Sequence, residues 1–125
     1  MKCLMIDDDL EDQEIFQLAM QEVFPKARCY FAVSCPEAIE KLSKNIIPIP
    51  LYIFMDWNMP LMEASHCIYD LRKVAELREV PLFILSGTLP PINGLTALGI
   101  RKSLIKQPSV SLLSKELYLA LNNQS

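Results

Sequence analysis

The chain has a single histidine, His66, and none of its four cysteines are paired at C-x-x-C spacing. Zinc centres draw on clusters of these two residue types, so the ligand supply excludes one. No apolar run approaches the ~20 residues that span a bilayer. The opening Met1-Lys2-Cys3-Leu4 runs straight into acidic residues, which a secretory signal does not do. A cytoplasmic setting is therefore expected, with no membrane partner. Lys and Arg form only short clusters, such as Arg72-Lys73 and Arg101-Lys102, in a chain of net charge −3. A nucleic-acid surface needs a broader basic footprint, so that partner class is excluded too. There is no internal repeat, linker or low-complexity segment.

What is present is an ordinary globular composition: 51% hydrophobic and 22% charged residues over 125 positions. That suffices to bury a core without covalent staples. Cys3, Cys29, Cys35 and Cys67 are accordingly expected as free thiols, Cys67 in the core. One domain over 1–125, with no output domain, is the expectation.

Short apolar runs alternate with amphipathic stretches. Cys3-Leu4-Met5-Ile6 reads as the first strand, and Asp12 to Val23 as a helix stopped by Pro25. Ala27 to Ala32 reads as the second strand. Ser34 and Glu37 form a capping-box pattern ahead of a helix over Pro36 to Lys44. Leu51 to Met55 and Pro81 to Leu85 are continuously apolar, as central parallel strands are. Met62 to Ala75 carries Cys67, Ile68, Leu71 and Val74 on one side of a helix. Pro90 to Leu98 is a poor helix interrupted by Gly94. Ser103 to Lys106 reads as a fifth strand, and Ser111 to Leu121 as a closing helix. Such alternation predicts an α/β fold with a parallel sheet covered on both faces.

In such sheets ligands bind beyond the carboxyl ends of the strands. After the first strand come Asp7, Asp8 and Asp9. After the third come Asp56, Trp57, Asn58, Met59 and Pro60. After the fourth come Ser86, Gly87 and Thr88, and at the end of the fifth comes Lys106. Two carboxylates about 5 Å apart repel by roughly 3 kcal/mol at an effective dielectric near 20. Three of them require protonation or a cation, and oxygen ligands with room for water favour Mg²⁺. A carboxylate so placed can attack a phosphoryl group, with Lys106 supplying charge and Ser86 a hydrogen bond.

The strand-end residues resemble the receiver domains of two-component signalling response regulators, of the single-domain, chemotaxis-regulator-like kind. The resemblance rests on Met5-Ile6-Asp7-Asp8-Asp9, on Asp56-Trp57-Asn58-Met59-Pro60-Leu61-Met62, on Leu85-Ser86-Gly87, and on Gly99, Leu104 and Lys106. It implies a flavodoxin-like (βα)₅ three-layer sandwich with sheet order 2-1-3-4-5. It also implies that Asp56 is the phosphoacceptor. Asp8, Asp56 and the backbone carbonyl of Asn58 would ligate Mg²⁺ directly, and Asp7 through a bound water. Ser86 and Lys106 would contact the phosphoryl oxygens, while Asn58 and Thr88 would tune its lifetime. The donor would be a phosphohistidine on a histidine kinase or phosphotransfer protein. The output would be binding to a downstream protein, so no enzyme activity is expected beyond self-catalysed phosphotransfer and dephosphorylation. Ala64, Ser103 and Gln107 depart from the family pattern: a glycine usually stands at the first, an aromatic residue at the second, and the lysine normally adjoins its proline at the third.

Two other functions fit the residues: a degenerate receiver that binds without phosphorylation, and a Mg²⁺-dependent phosphohydrolase working through an aspartyl phosphate. The latter lacks a second acid two residues after Asp56. Asp9 reads equally as a helix N-cap, and Glu11 and Asp12 as solvated first-turn acids. His66 reads as partly exposed and inert. Trp57 reads as packing or partial cover for the site.

Overall fold

The computed structural model describes residues 1–57, 61–87 and 99–122. Five parallel strands form one sheet in the order β2-β1-β3-β4-β5. They are β1 (Lys2–Ile6), β2 (Arg28–Ala32), β3 (Tyr52–Asp56), β4 (Leu82–Ser86) and β5 (Ile100–Ile105). The described helices are α1 (Leu10–Val23), α2 (Cys35–Ser43), α3 (Leu61–Lys73) and α4 (Val110–Asn122), with a 3₁₀ turn at Ala75–Leu77. The expected helix over 90–98, with Leu89 before it, lies outside the described residues.

The central strands lack polar alternation because both sheet faces are covered. Leu4, Ile6, Ile53, Met55, Leu82 and Ile84 join one buried cluster with Ala38, Leu42, Ile68 and Leu71 of α2 and α3. Their strand neighbours Cys3, Met5, Phe54, Phe83 and Leu85 join the other, with Phe16, Ala19 and Met20 of α1 and Leu113 and Leu117 of α4. Phe54 anchors that second layer. Its ring centroid lies 4.9 Å from that of Phe16 and 5.2 Å from that of Phe83. Buried Ser114 on α4 donates to Ala19 O at 3.1 Å and to Val110 O at 2.8 Å. The first of these bonds links α4 to α1 through a satisfied polar contact.

Several boundaries differ from expectation, each for a local reason. Asp9 accepts from the backbone N–H groups of Glu11 and Asp12, so α1 starts at Leu10 and not Asp12. Ser34 accepts from Glu37 N at 3.2 Å, while Glu37 reaches back to Val33 N at 3.4 Å. A reciprocal capping box would close on Ser34 N, one residue later. β5 starts at Ile100, three residues before the expected Ser103, and ends before Lys106. Its polar residues Arg101 and Lys102 hide it from a hydrophobicity reading, yet Lys102 pairs with Phe83 at the sheet edge. Gly99 enters that strand at φ +79°, and Arg72 donates to its carbonyl at 3.1 Å. That backbone conformation favours glycine.

The expectation of four free thiols is overturned. Cys35 at the start of α2 and Cys67 in α3 form a disulfide, with Cα atoms 5.6 Å apart. Their 32-residue separation hid the pair, because it arises only when α2 and α3 pack side by side. Cys3 and Cys29 remain free.

Candidate functional site

The site forms where the strand order reverses, between β1 and β3. Ile6 pairs with Ala32 on one side and Met55 on the other, so the residues after them reach one rim. Asp7 N donates to Ala32 O at 2.9 Å, which holds the chain as it leaves β1. Asp56 ends β3 opposite Leu85, and Trp57 N donates to Leu85 O at 2.9 Å. Lys106 N donates to Ser86 O at 2.7 Å, which ties the lysine to the end of β4. Sheet pairing thus gathers residues from four separate segments.

Asp7 and Asp56 are buried and Asp8 is exposed. One carboxylate oxygen from each lies within 4.8 Å of the others. Lys106 Nζ sits 2.8 Å from Asp56 Oδ1, 3.3 Å from Asp7 Oδ2 and 2.6 Å from Asp12 Oδ2. The Asp12 contact is a hydrogen bond. The buried oxygens Asp7 Oδ2 and Asp56 Oδ1 have no well-aligned hydrogen-bond donor, so charge is what mainly couples them to the ammonium. Four carboxylates against one ammonium leave the rim strongly negative.

Burial and these charges together shift protonation. Burial pushes the Asp7 carboxyl up to about 6. The Asp9 N–H bonded to its Oδ1 at 2.9 Å opposes the rise, the Asp56 charge adds to it, and Lys106 draws it back. For Lys106, burial favours the neutral amine. The close contacts with Asp12 and Asp56 and the charges of Asp7 and Asp56 outweigh that, so its pKa is raised and the ammonium is retained.

The donor set suits a hard divalent cation. Three oxygens converge, two of their carriers are buried, and two buried oxygens lack an aligned donor. Asp7, Asp8 and Asp56 are brought together as the sequence predicts. Ser86 is buried at the same rim. Asn58 and Thr88 lie outside the described residues. Trp57 is partly buried and packs on the α2–α3 cluster, in keeping with a packing role.

Asp12 corrects the expectation of a solvated acid: it is the nearest carboxylate partner of Lys106. A clue lay in its position. Asp9 as N-cap puts Asp12 in the first turn of α1, close to the strand ends; the sequence alone did not show that Lys106 would arrive there. Asp9 itself acts as the cap. His66 is exposed, as expected, but with Asp70 it borders a cavity of about 410 Å³ that reaches Asp7, Asp8 and Asp56. Val33, Ser34 and the Cys35–Cys67 disulfide complete much of its wall.

No protein-family model matches the sequence, and no curated protein matches it. Solved structures do match the fold. The chemotaxis response regulator CheY4 of Vibrio cholerae is similar at TM-score 0.75 and 21% identity, over 95% of this chain and 97% of that one. A two-component response regulator from Legionella pneumophila is similar at 0.78 and 20%, over 97% and 98%. The Mn²⁺-bound form of response regulator Rcp1 is similar at 0.73 and 16%, over 94% and 88%. The fold is thus the flavodoxin-like one of response-regulator receivers.

Proposed function

We propose that the chain is a phosphorylation-switched receiver of two-component signalling, with Asp56 as its phosphoacceptor. One observation carries the reading: Lys106 Nζ stands 2.8 Å from Asp56 at a rim that also joins Asp7 and Asp8. The buried Asp56 carboxylate is the nucleophile. Its oxygen bonds to phosphorus as the N–P bond of a phosphohistidine breaks, and the imidazole keeps that electron pair. Lys106 holds positive charge where phosphoryl oxygens develop, and Ser86 offers a hydroxyl at the same edge. Asp7, Asp8 and Asp56 would hold Mg²⁺, which neutralises charge on the transferring group.

Rcp1, a response regulator of similar fold, has a Mn²⁺-bound form, which supports the reading that a divalent cation binds here. Mg²⁺ is the proposed physiological ion because few protein ligands converge here and water can complete the shell. The same proposal includes a histidine kinase or phosphotransfer protein as donor, a downstream protein as target, a cytoplasmic setting, and no turnover of a separate substrate. No described helix is long and apolar enough to cross a membrane.

The test is incubation with acetyl phosphate and Mg²⁺, followed by intact-mass measurement. A gain of one phosphoryl group that disappears in Asp56→Asn is expected. No gain from acetyl phosphate or from cognate kinases would instead support phosphorylation-independent binding. Steady phosphate release from small esters would support the hydrolase.

A further inference from the structure

Cys35 and Cys67 do more than join two helices. Both line the cavity that ends at Asp7, Asp8 and Asp56. Cys35 opens α2 directly after the capping Ser34, in the turn that forms the outer wall, and is half-buried. Cys67 is 3% exposed, and its Sγ lies 3.5 Å from Met55 Sδ. Met55 is fully buried and immediately precedes Asp56. The inner side of the disulfide is therefore backed by core, and its outer side by a surface turn.

The other two cysteines are free thiols, and neither lines this cavity. Cys3 and Cys29 pair across β1 and β2. Burial pushes their thiols up to about 12 and about 11, which keeps them protonated at neutral pH.

We propose that Cys35–Cys67 is a reversible redox-modification site that sets how closed the acidic cavity is. This rests on the reading of Asp56 as phosphoacceptor only for its signalling consequence. The reductant is a dithiol. One of its thiolates attacks Cys35 Sγ, the S–S bond breaks, and Cys67 leaves as a thiolate that takes a proton. The second thiol of the reductant then displaces Cys35, which is protonated in turn. Two electrons pass from the dithiol, which ends as a disulfide, to the two cysteines.

Reduction removes the covalent tether between the 33–36 turn and α3 and leaves two thiols that repel at bonding distance. Cys67 has no room to retreat, because Met55 and the α2–α3 core stand behind it. The displacement falls on Cys35 and the turn at 33–36, and the wall swings away from α3. More water then reaches Asp56, which is buried while the wall is closed. Charges there attract a cation more weakly, and an acyl phosphate is more open to hydrolysis.

The experiment equilibrates the full chain in dithiothreitol buffers of graded potential and maps the cysteines by differential alkylation and mass. Cys35 and Cys67 should convert together, with fully buried Cys3 blocked only after denaturation and Cys29 labelled alike in both redox forms. Oxidised protein, reduced protein and Cys35→Ser are then compared for Mn²⁺ affinity by Trp57 fluorescence and for phosphoryl lifetime by intact mass. Reduced protein and Cys35→Ser should each bind Mn²⁺ at least threefold more weakly and lose the phosphoryl group at least threefold faster. Dithiothreitol should not alter Cys35→Ser further. A wild-type chain that never forms the bond under oxidising conditions, or whose two redox forms match in Mn²⁺ affinity and lifetime, overturns the inference. If neither form takes a phosphoryl group but Mn²⁺ affinity still follows redox state, the redox site stands and the phosphoacceptor reading falls.

Discussion

Asp7→Asn should make the cation-free protein more stable while removing much of its response to Mg²⁺. In the native chain the Asp7 carboxyl titrates near 6, whereas its ordinary value is 3.8. That rise corresponds to about 3 kcal/mol. Because the native value is the higher one, the folded state binds more protons between roughly pH 4 and 6. Stability therefore falls as pH rises through that window, and the cost is fully present above it. Asparagine mimics the neutral acid in shape and can still accept the Asp9 N–H bond made at 2.9 Å. At pH 7.5 with a chelator, the variant should gain about 2–3 kcal/mol, or about 10 °C in melting temperature for a domain of this size. Near pH 3.5 the gain should vanish, because the wild-type group is then neutral as well. Added Mg²⁺ should raise the wild-type melting point by linkage and raise that of the variant far less. Thermal melts at pH 3.5, 5 and 7.5, with chelator and with Mg²⁺, measure all three effects. A variant no more stable than wild type at pH 7.5, or a gain independent of pH, would refute the account of Asp7 as a carboxylate held charged against burial and a negative neighbour.

Lys106→Met leaves buried Asp7 and Asp56 without their ammonium and should cost about 2–4 kcal/mol in urea denaturation at pH 7.5 with chelator. Mg²⁺ should restore part of that loss; an unchanged midpoint would mean the lysine is not holding the acids. Asp12→Asn removes a partner whose side chain is 31% exposed. Solvent screening limits its effect to about 1 kcal/mol or less, shrinking with salt. A loss above that size, insensitive to salt, would mean Asp12 acts by packing. Gly99→Ala forces a side chain into φ +79°, with its Cβ 3.1 Å from Arg72 Nη2. It should cost about 1–2 kcal/mol by thermal denaturation, and a neutral result would place that backbone elsewhere.

The layered architecture was legible because its signals are local. Leu4, Met5, Ile6 and Ile53, Phe54, Met55 are apolar without alternation, as two covered faces demand. Ser34 and Asp9 cap their helices through contacts only a few residues long. β5 was misjudged at its start because an edge strand tolerates Arg101 and Lys102, which blur the apolar run. Asp7, Asp8, Asp56 and Lys106 were legible for a different reason: each stands at or just past the end of a strand, and parallel strands all point their carboxyl ends to one edge.

Amino-acid order by itself determined the alternation of strands and helices, the caps, and the chemical types waiting at the strand ends. Tertiary structure alone decided which distant groups meet. It brought Asp12 to within 2.6 Å of Lys106 across 94 positions, and Cys35 to Cys67 across 32. Neither pairing has a local signature. Each depends on how helices sit over the sheet, and packing of side chains from many segments sets that placement.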